Sequence, residues 1–220
     1  MRTRVKMCGT TSGTDAMAAV EAGVDALGFI FVRKSPRYVS EEDAAAIMYS
    51  LPPFIDRVGV FVNEELEAIV GKARRLGLTA LQLHGNEQPA LCRELAASLP
   101  HCRILKAFRI GSMSRAADIV PYRHAVNGFL LDTYVENEEG GTGRVFDWQM
   151  IADLDVRKPY LLAGGLTPEN VSSALEVASP YGVDVNSGIE TTPGKKDHEL
   201  LKRFVTAVAE WDRRSAVSGR

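Results

Sequence analysis

The chain has 220 residues, of which 45% are hydrophobic and 25% are charged, and its formal net charge is −2. This length and composition suit one globular domain with a full core. The small net charge, without a long block of like charges, argues against a nucleic-acid-binding surface or a membrane-binding surface. We therefore expect a small-molecule ligand.

Three cysteines, Cys8, Cys92 and Cys102, form an odd set without the spacing of zinc ligands. This set argues against a disulfide framework and against a structural metal, and we expect Cys92 and Cys102 to be buried as small hydrophobic residues. The N-terminal residues contain no apolar segment of a secretion signal, and no apolar run is long enough to span a bilayer. We expect a cytoplasmic protein.

Short apolar runs alternate with amphipathic or alanine-rich segments, which is the pattern of a parallel sheet built from βα units. We predict eight strands, at Val5–Cys8, Ala26–Phe31, Arg57–Val62, Ala80–Leu83, Arg103–Ala107, Gly128–Leu131, Tyr160–Ala163 and Val183–Val185. We predict helices over Asp15–Ala22, Glu41–Leu51, Glu64–Leu76, Pro89–Ser98 and Ser114–Ile119. A sixth helix is predicted to begin at Asp147, a seventh lies between the last two strands, and the final helix covers Asp197–Trp211. A frayed tail is expected from about residue 213.

Short signals mark several helix ends. Ser40 and Asn63 are suited to cap the N-termini of the second and third helices. Gly23 and Gly77 are suited to end the first and third helices in a left-handed conformation. No linker or low-complexity segment divides the chain, so we expect residues 1–220 to form one domain.

Two predicted strands in the segment Tyr160–Glu190 break into glycines and small polar residues. The first is followed by Gly164-Gly165 and the second by Asn186-Ser187-Gly188. Glycines let backbone N–H groups come close to an anion, and in (β/α)8 barrels the loops after strands 7 and 8 commonly hold a phosphate. Either half alone is equally consistent with ordinary turns, but the tandem favours a phosphate site.

These features predict an α/β fold, a single-domain (β/α)8 TIM barrel with its chemistry at the C-terminal ends of the strands. The alternative is an open doubly wound sheet, whose glycine-rich phosphate loop usually follows the first strand. The segment Gly9–Gly13 does follow strand 1, but it has neither the GxGxxG pattern nor the Walker lysine spacing. We therefore favour the barrel.

Cys8 and Asp132 lie at strand ends and are candidates for an acid/base pair across the barrel mouth. Near Lys6 the Cys8 thiol is expected to lose its proton more easily, unless it is a small buried hydrophobic residue. Asp132 either takes part in catalysis or caps the long loop that follows. Glycines at 140–143 would let this loop fold over a ligand, although long loops are often tolerated insertions.

Three further side chains are predicted near the site. Arg37 is suited to hold a substrate carboxylate in a bidentate pair, although a single arginine is more often an exposed surface residue. His84 either shapes the site or caps a strand. Asp184 lies within a strand and needs a hydrogen-bonded partner, such as a substrate hydroxyl or a neighbouring side chain.

Together these motifs resemble one family over nearly the whole chain, the phosphoribosylanthranilate isomerases of tryptophan biosynthesis. The resemblance rests on segments that are weak singly and specific in this order, at Val5–Gly9, Gly28–Phe31, Ser35–Tyr38, Gln82–Gly85, Leu131–Thr133, Gly140–Gly143, Phe146–Trp148, Ala163–Val171, Asp184–Glu190 and Gly194–Asp197.

The resemblance implies a cofactor-free barrel that converts N-(5-phosphoribosyl)anthranilate to 1-(2-carboxyphenylamino)-1-deoxyribulose 5-phosphate by an Amadori rearrangement. It implies that Asp132 is the general acid for the ring oxygen and Cys8 the general base for the C2 proton. Arg37 would hold the anthranilate carboxylate, and Asp184 would orient the substrate. Backbone groups around five residues would bind the phosphate, namely Gly164, Gly165, Asn186, Ser187 and Gly188.

Two positions depart from the family pattern. Thr10 stands where an aliphatic residue is usual, and Asn186 stands where serine is common. Two other functions stay open, a related sugar-phosphate isomerase of histidine biosynthesis and a phosphate-binding barrel without catalysis. The first is expected to use paired aspartates, and the second does not require a thiol and an acid. The oligomeric state is not predicted.

Overall fold

The computed structural model describes residues 2–133 and 148–217, and in it eight parallel strands close into a barrel. The strands are β1 (Arg4–Met7), β2 (Ala26–Ile30), β3 (Asp56–Phe61), β4 (Ala80–Leu83), β5 (Arg103–Arg109), β6 (Gly128–Asp132), β7 (Tyr160–Ala163) and β8 (Gly182–Val185). Each strand pairs with the next in chain order, and β8 pairs with β1. The predicted barrel is therefore confirmed, and the open sheet is wrong.

Helices lie between successive strands of the barrel, with only a 3-10 helix described between β6 and β7, and a final helix follows the last strand. They are α1 (Gly13–Ala22), α2 (Glu41–Tyr49), α3 (Leu66–Leu76), α4 (Pro89–Ser98), α5 (Ala116–Ile119), α6 (Val171–Ala178) and α7 (His198–Val217). Short 3-10 helices lie at Val120–Tyr122, Trp148–Leu154 and Ser187–Ile189, and β8 is followed by a ribbon of β9 (Glu190–Thr192) and β10 (Lys195–Lys196). The predicted glycine-rich loop at 140–143, and residue 147 where a helix was expected to begin, lie outside the described residues.

Three of the predicted helix ends are confirmed. The Ser40 hydroxyl accepts a hydrogen bond from the N–H of Asp43 at 3.0 Å and caps α2. Gly23 and Gly77 end α1 and α3 with φ angles of 95° and 59°. A β-carbon is unfavourable in this left-handed region, so residues other than glycine are tolerated poorly at these two helix ends.

The predicted cap of α3 is wrong. Glu65, not Asn63, occupies the N-cap position, and the helix begins at Leu66. The side-chain oxygen of Asn63 instead accepts a hydrogen bond from the N–H of Asn86 at 2.6 Å. A contact with the loop after β4 therefore replaces the local cap, and sequence spacing does not reveal such a contact.

The last helix is longer than expected. Residues 213–217 of the tail predicted to fray lie inside α7, which continues to Val217, and residues 218–220 lie outside the described residues. Asp212 explains why the helix is held there, because its carboxylate accepts hydrogen bonds from the Thr3 N–H at 2.8 Å and the Thr3 hydroxyl at 2.7 Å. The helix is thereby attached to the start of β1.

Apolar side chains fill two layers. Inside the barrel, Ala107, Leu130 and Ala163 pack together with Leu161. The larger layer lies between the strands and the surrounding helices and contains most of the buried hydrophobic residues. Cys92 and Cys102, at 0% and 5% exposure, belong to this layer, as predicted.

A buried ion pair ties together the ends of three neighbouring strands. Lys106 Nζ on β5 lies 3.2 Å from the Glu87 carboxylate, and both side chains are almost fully buried. Nζ also donates to the carbonyls of Leu83 and Gly85, while Glu87 accepts from the N–H groups of Gly85 and Asn63. These contacts join the loops after β3 and β4 to β5 on the side of the barrel where chemistry is expected.

Replacing Glu87 by alanine should destabilise the protein strongly, because the Lys106 ammonium would stay buried without its partner. Breaking a buried ion pair in this way costs about 3–5 kcal/mol. Urea unfolding of Glu87→Ala should show this loss, whereas Glu169→Ala, which breaks the exposed pair with Arg203, should change stability far less. Similar unfolding midpoints for the two variants would contradict the role given to the buried pair.

Candidate active site

A buried ion pair joins β1 to β8 inside the barrel. Lys6 and Asp184 are register partners on these strands, and Lys6 Nζ donates to Asp184 Oδ1 at 2.6 Å. Their side chains are 2% and 7% exposed. Burial alone would lower the pKa of Lys6, but the charge of Asp184 and the hydrogen bond to it raise the pKa above its ordinary value, so the ammonium form is favoured. The hydrogen-bonded partner that Asp184 requires is therefore Lys6.

Cys8 follows β1 and lies two residues after Lys6, so both side chains point to the same face of the strand. A β-carbon on Gly28 of β2 would lie 2.9 Å from both Cys8 Sγ and Lys6 Nζ. The lack of a side chain on Gly28 therefore leaves room for the thiol and the ammonium side by side.

The pKa of Cys8 does not follow the prediction. The thiol is buried, and this burial raises its pKa although the positive charge of Lys6 acts in the opposite direction. The expectation that Cys8 loses its proton more easily than an ordinary thiol is therefore wrong, because desolvation exceeds the effect of the cation. A thiolate formed here is a stronger base than an ordinary one.

Asp132 is the last residue of β6, and its side chain is 21% exposed. Its Oδ2 lies 3.5 Å from Nε2 of His84, whose Nδ1 lies 2.8 Å from Nε2 of the buried Gln82. Asp184 interacts electrostatically with Asp132 and also with Cys8. Since Asp132 ends β6 and Cys8 follows β1, the carboxyl group and the thiol lie at the same, C-terminal end of the barrel.

Arg37 is held by a carboxylate of the protein itself. Its Nε lies 2.9 and 3.1 Å from the two carboxylate oxygens of Glu190, and its Nη2 donates to Oε2 at 2.6 Å. Lys196 Nζ donates to the other oxygen, Oε1, at 2.8 Å. The roles of Glu190 and Lys196 are not evident from the sequence, where the only local signal is one charged residue in each of two family segments.

Gly9 brings three loops together. Its φ angle is 73°, and a β-carbon there would lie 2.8 Å from Asn186 Oδ1 and 2.9 Å from Arg37 Cδ. Both the positive φ and these close contacts require glycine. The neighbouring Thr10 is completely buried and its N–H donates to the Gly28 carbonyl at 2.9 Å. The loops after β1, β2 and β8 therefore meet at one point.

The loop after β7 contains two glycines in the left-handed region. Gly164 and Gly165 have φ angles of 96° and 60°, and a β-carbon on Gly165 would meet no atom within 4 Å. Asn170 fixes the loop, because its Nδ2 donates to the Gly165 carbonyl at 2.9 Å and its Oδ1 accepts from the Thr167 N–H at 2.8 Å. The space beside Gly165 is thus open on a rigid backbone.

The loop after β8 packs directly against it. A β-carbon on Gly188 would lie 1.9 Å from the Leu166 carbonyl oxygen, so glycine here is required by contact between the two loops. This corrects the expectation that Gly188 is a glycine only to admit an anion. Within the described ranges, the N–H groups of Gly165, Ser187 and Gly188 have no hydrogen-bond acceptor.

The part of the chain that the structure describes contains no group of three or more His, Cys, Asp or Glu side chains arranged to hold a metal ion. In the same ranges, no helix combines the length and the apolar composition that crossing a membrane requires.

A closed barrel with a thiol and a carboxyl group facing its interior, beside glycine loops after β7 and β8, is typical of (β/α)8 enzymes that act on phosphorylated small molecules. Comparison with known proteins specifies the family. Residues 5–207 match the model of the N-(5'-phosphoribosyl)anthranilate (PRA) isomerase family, and the chain belongs to this family. The resemblance drawn from the sequence is therefore confirmed, and with it an isomerase of tryptophan biosynthesis.

Individual members of the family are similar to this chain over nearly its full length. The N-(5'-phosphoribosyl)anthranilate isomerase of Geobacter sp. (strain M21) is 46% identical over 203 residues, covering 92% of this chain and 96% of that protein. A crystal structure of the Thermotoga maritima isomerase has a TM-score of 0.84 and 45% identity, covering 94% and 99%. Another isomerase structure, in complex with reduced 1-(o-carboxyphenylamino)-1-deoxyribulose 5-phosphate, has a TM-score of 0.82 and 43% identity, with the same coverage.

Proposed function

We propose that this protein isomerises N-(5-phosphoribosyl)anthranilate with Asp132 as general acid and Cys8 as general base. The observation that carries this assignment is that both side chains lie at the C-terminal end of the barrel, Asp132 as the last residue of β6 and Cys8 directly after β1. Asp132 donates a proton to the furanose ring oxygen, the bond from C1 to that oxygen breaks, and a protonated Schiff base forms. Cys8 then removes the C2 proton to give an enolamine, which tautomerises to the ketone product.

Arg37 binds the anthranilate carboxylate in this proposal, and Asp184, held by Lys6, orients the sugar. The phosphate lies at the loops after β7 and β8, where backbone N–H groups from Gly164 to Gly165 and from Asn186 to Gly188 donate to it. Support for this placement comes from the open space beside Gly165 and from the unused N–H groups of the two loops. The structure in complex with the reduced product supports the same ligand class.

We further propose that residues 1–220 act as a single domain in the cytoplasm. The ligand is the phosphorylated small molecule, and neither a nucleic acid nor a membrane takes part. Hydrogen moves from C2 to C1 within one molecule, so the reaction balances without an external oxidant or reductant. The proposed proton transfers by Asp132 and Cys8 therefore need no cofactor.

Replacing Cys8 by serine or Asp132 by asparagine should reduce turnover by about 10²–10⁴-fold, because each change removes a proton carrier. Turnover is measured by the loss of substrate fluorescence. Cys102→Ser is the matched control, since Cys102 is a buried thiol whose Sγ donates to the Leu78 carbonyl at 3.0 Å, and it should keep turnover. Native-like turnover in folded Cys8→Ser or Asp132→Asn would remove that residue from the mechanism.

Replacing Arg37 by alanine should raise KM more than it lowers kcat, because the carboxylate that it binds does not change charge during the reaction. Steady-state kinetics separate the two constants. A fall in kcat at unchanged KM would show that Arg37 orients the reacting atoms instead.

Inorganic phosphate should inhibit the native protein competitively in about the millimolar range, as for a small anion held by a few backbone hydrogen bonds. Gly165→Ala should weaken this inhibition, since the methyl group would enter the open space. Gly77→Ala, with a φ of 59° against 60° for Gly165, imposes the same backbone strain far from the site and should leave inhibition unchanged. Equal inhibition constants for the two variants would place the anion elsewhere. Gly188→Ala is unsuitable here, because its clash with Leu166 should impair folding.

A further inference from the structure

Glu190 occupies one of the two binding edges of the Arg37 guanidinium. A guanidinium presents a side-on edge, from Nε and one Nη, and an end-on edge, from both Nη atoms. Glu190 contacts the side-on edge through Nε and Nη2. Within residues 2–133 and 148–217, no acceptor contacts Nη1. The end-on edge can therefore bind a second carboxylate while the first stays in place.

Lys196 gives this group of charged side chains a net positive charge. The Glu190 and Lys196 side chains are 4% and 0% exposed, and Arg37 is 19% exposed. Arg37 and Glu190 alone would form a neutral pair with little attraction for a further anion. Lys196 Nζ, 2.8 Å from Glu190 Oε1, adds a positive charge and brings the sum of the three ionised groups to +1. Burial lowers the pKa of Lys196, and the hydrogen bond and the charge of Glu190 act in the opposite direction. Burial alone would raise the pKa of Glu190, but hydrogen bonds from Arg37 and Lys196 lower it, which keeps the carboxylate ionised.

The same lysine reaches the phosphate side of the site. Lys196 Nζ also donates to Asn186 Oδ1 at 2.8 Å and to the Asn186 carbonyl at 3.3 Å. Glu190 and Lys196 face each other in the register of the β9/β10 ribbon, and the Gly194 N–H donates to Glu190 Oε1 at 3.2 Å. The ribbon thus holds Glu190 against Arg37, the predicted carboxylate-binding residue, and Lys196 against Asn186, a predicted phosphate-binding residue.

We propose that Glu190 and Lys196 are positioning residues that set substrate specificity. Glu190 holds Arg37 with its end-on edge toward the ligand, and Lys196 balances the charge of Glu190, so that Arg37 attracts the carboxylate of the substrate. This inference rests on the proposed role of Arg37.

The test compares two ligands, the reduced product 1-(2-carboxyphenylamino)-1-deoxyribulose 5-phosphate and its phenylamino counterpart without the carboxyl group. The ratio of their Kd values measures the preference for the carboxylate. Lys196→Gln leaves a net charge of 0 and should reduce this preference about tenfold, the loss expected for one charge-assisted contact. Lys196→Arg keeps the charge and should keep the preference. Loss in both variants would indicate packing rather than charge.

The double variant Glu190→Gln/Lys196→Gln separates the two roles. It restores the net charge of +1 on Arg37 and removes both buried charges together, so it should fold and recover part of the preference lost in Lys196→Gln. A merely structural role of Lys196 predicts no recovery, and that result would overturn the proposal for its charge. Complete recovery would overturn the positioning role of Glu190.

Two controls complete the experiment. Glu41 is shared by Lys72 and Arg75 on the outer surface, at 3.7 and 2.6 Å, and Lys72→Gln removes a comparable lysine there without an expected effect on the preference. Arg37→Ala should abolish the preference entirely. If Arg37→Ala retains it, the proposed role of Arg37 fails. If Arg37→Ala loses it while Lys196→Gln retains it, only the inference on Glu190 and Lys196 fails.

Discussion

The buried ion pair between Lys6 and Asp184 is the interaction on which the rest of the site depends. It joins the first and last strands at partner positions, with 2.6 Å between the charged atoms. Taking both charges out of water is unfavourable, and their mutual contact offsets this cost, so replacing either residue alone would leave the other charge buried without its partner. Closure of the barrel therefore places a cation beside Cys8 and the start of the β8 loop beside Arg37.

The charged side chains of the site form two separate groups near the junction of β1 and β8. Lys6 and Asp184 form a pair without net charge next to the thiol, whereas Arg37, Glu190 and Lys196 carry one net positive charge at the outer part of the site. A ligand with a carboxylate at one end and a phosphate at the other is suited to this division. The neutral pair lies where protons are proposed to move, and the cationic group lies where an anion is proposed to bind.

Much of the fold was predictable because its signals are local. The eight strands, the glycine ends at Gly23 and Gly77, and the burial of Cys92 follow from periodicity and from backbone preferences. The partners of individual charges were not predictable, because they depend on tertiary packing. Arg37 and Glu190 are 153 positions apart in the chain, and Lys6 and Asp184 are 178 apart.

The candidate site shows the same division between local and tertiary information. Cys8 and Asp132 were predicted as site residues because they lie at strand ends, and in the structure both lie at the C-terminal end of the barrel. The raised pKa of Cys8 was missed because the extent of its burial depends on tertiary packing. The requirement for Gly188 was assigned to an anion, but the nearest obstacle is the Leu166 carbonyl in the neighbouring loop.

The attachment of α7 to β1 has a consequence for how the protein can be joined to others. Thr3 precedes the first strand, so its contact with Asp212 brings both ends of the described chain to the N-terminal face of the barrel. The candidate site lies at the opposite face. An affinity tag or a second enzyme attached beyond either end of the described chain should therefore leave substrate access open.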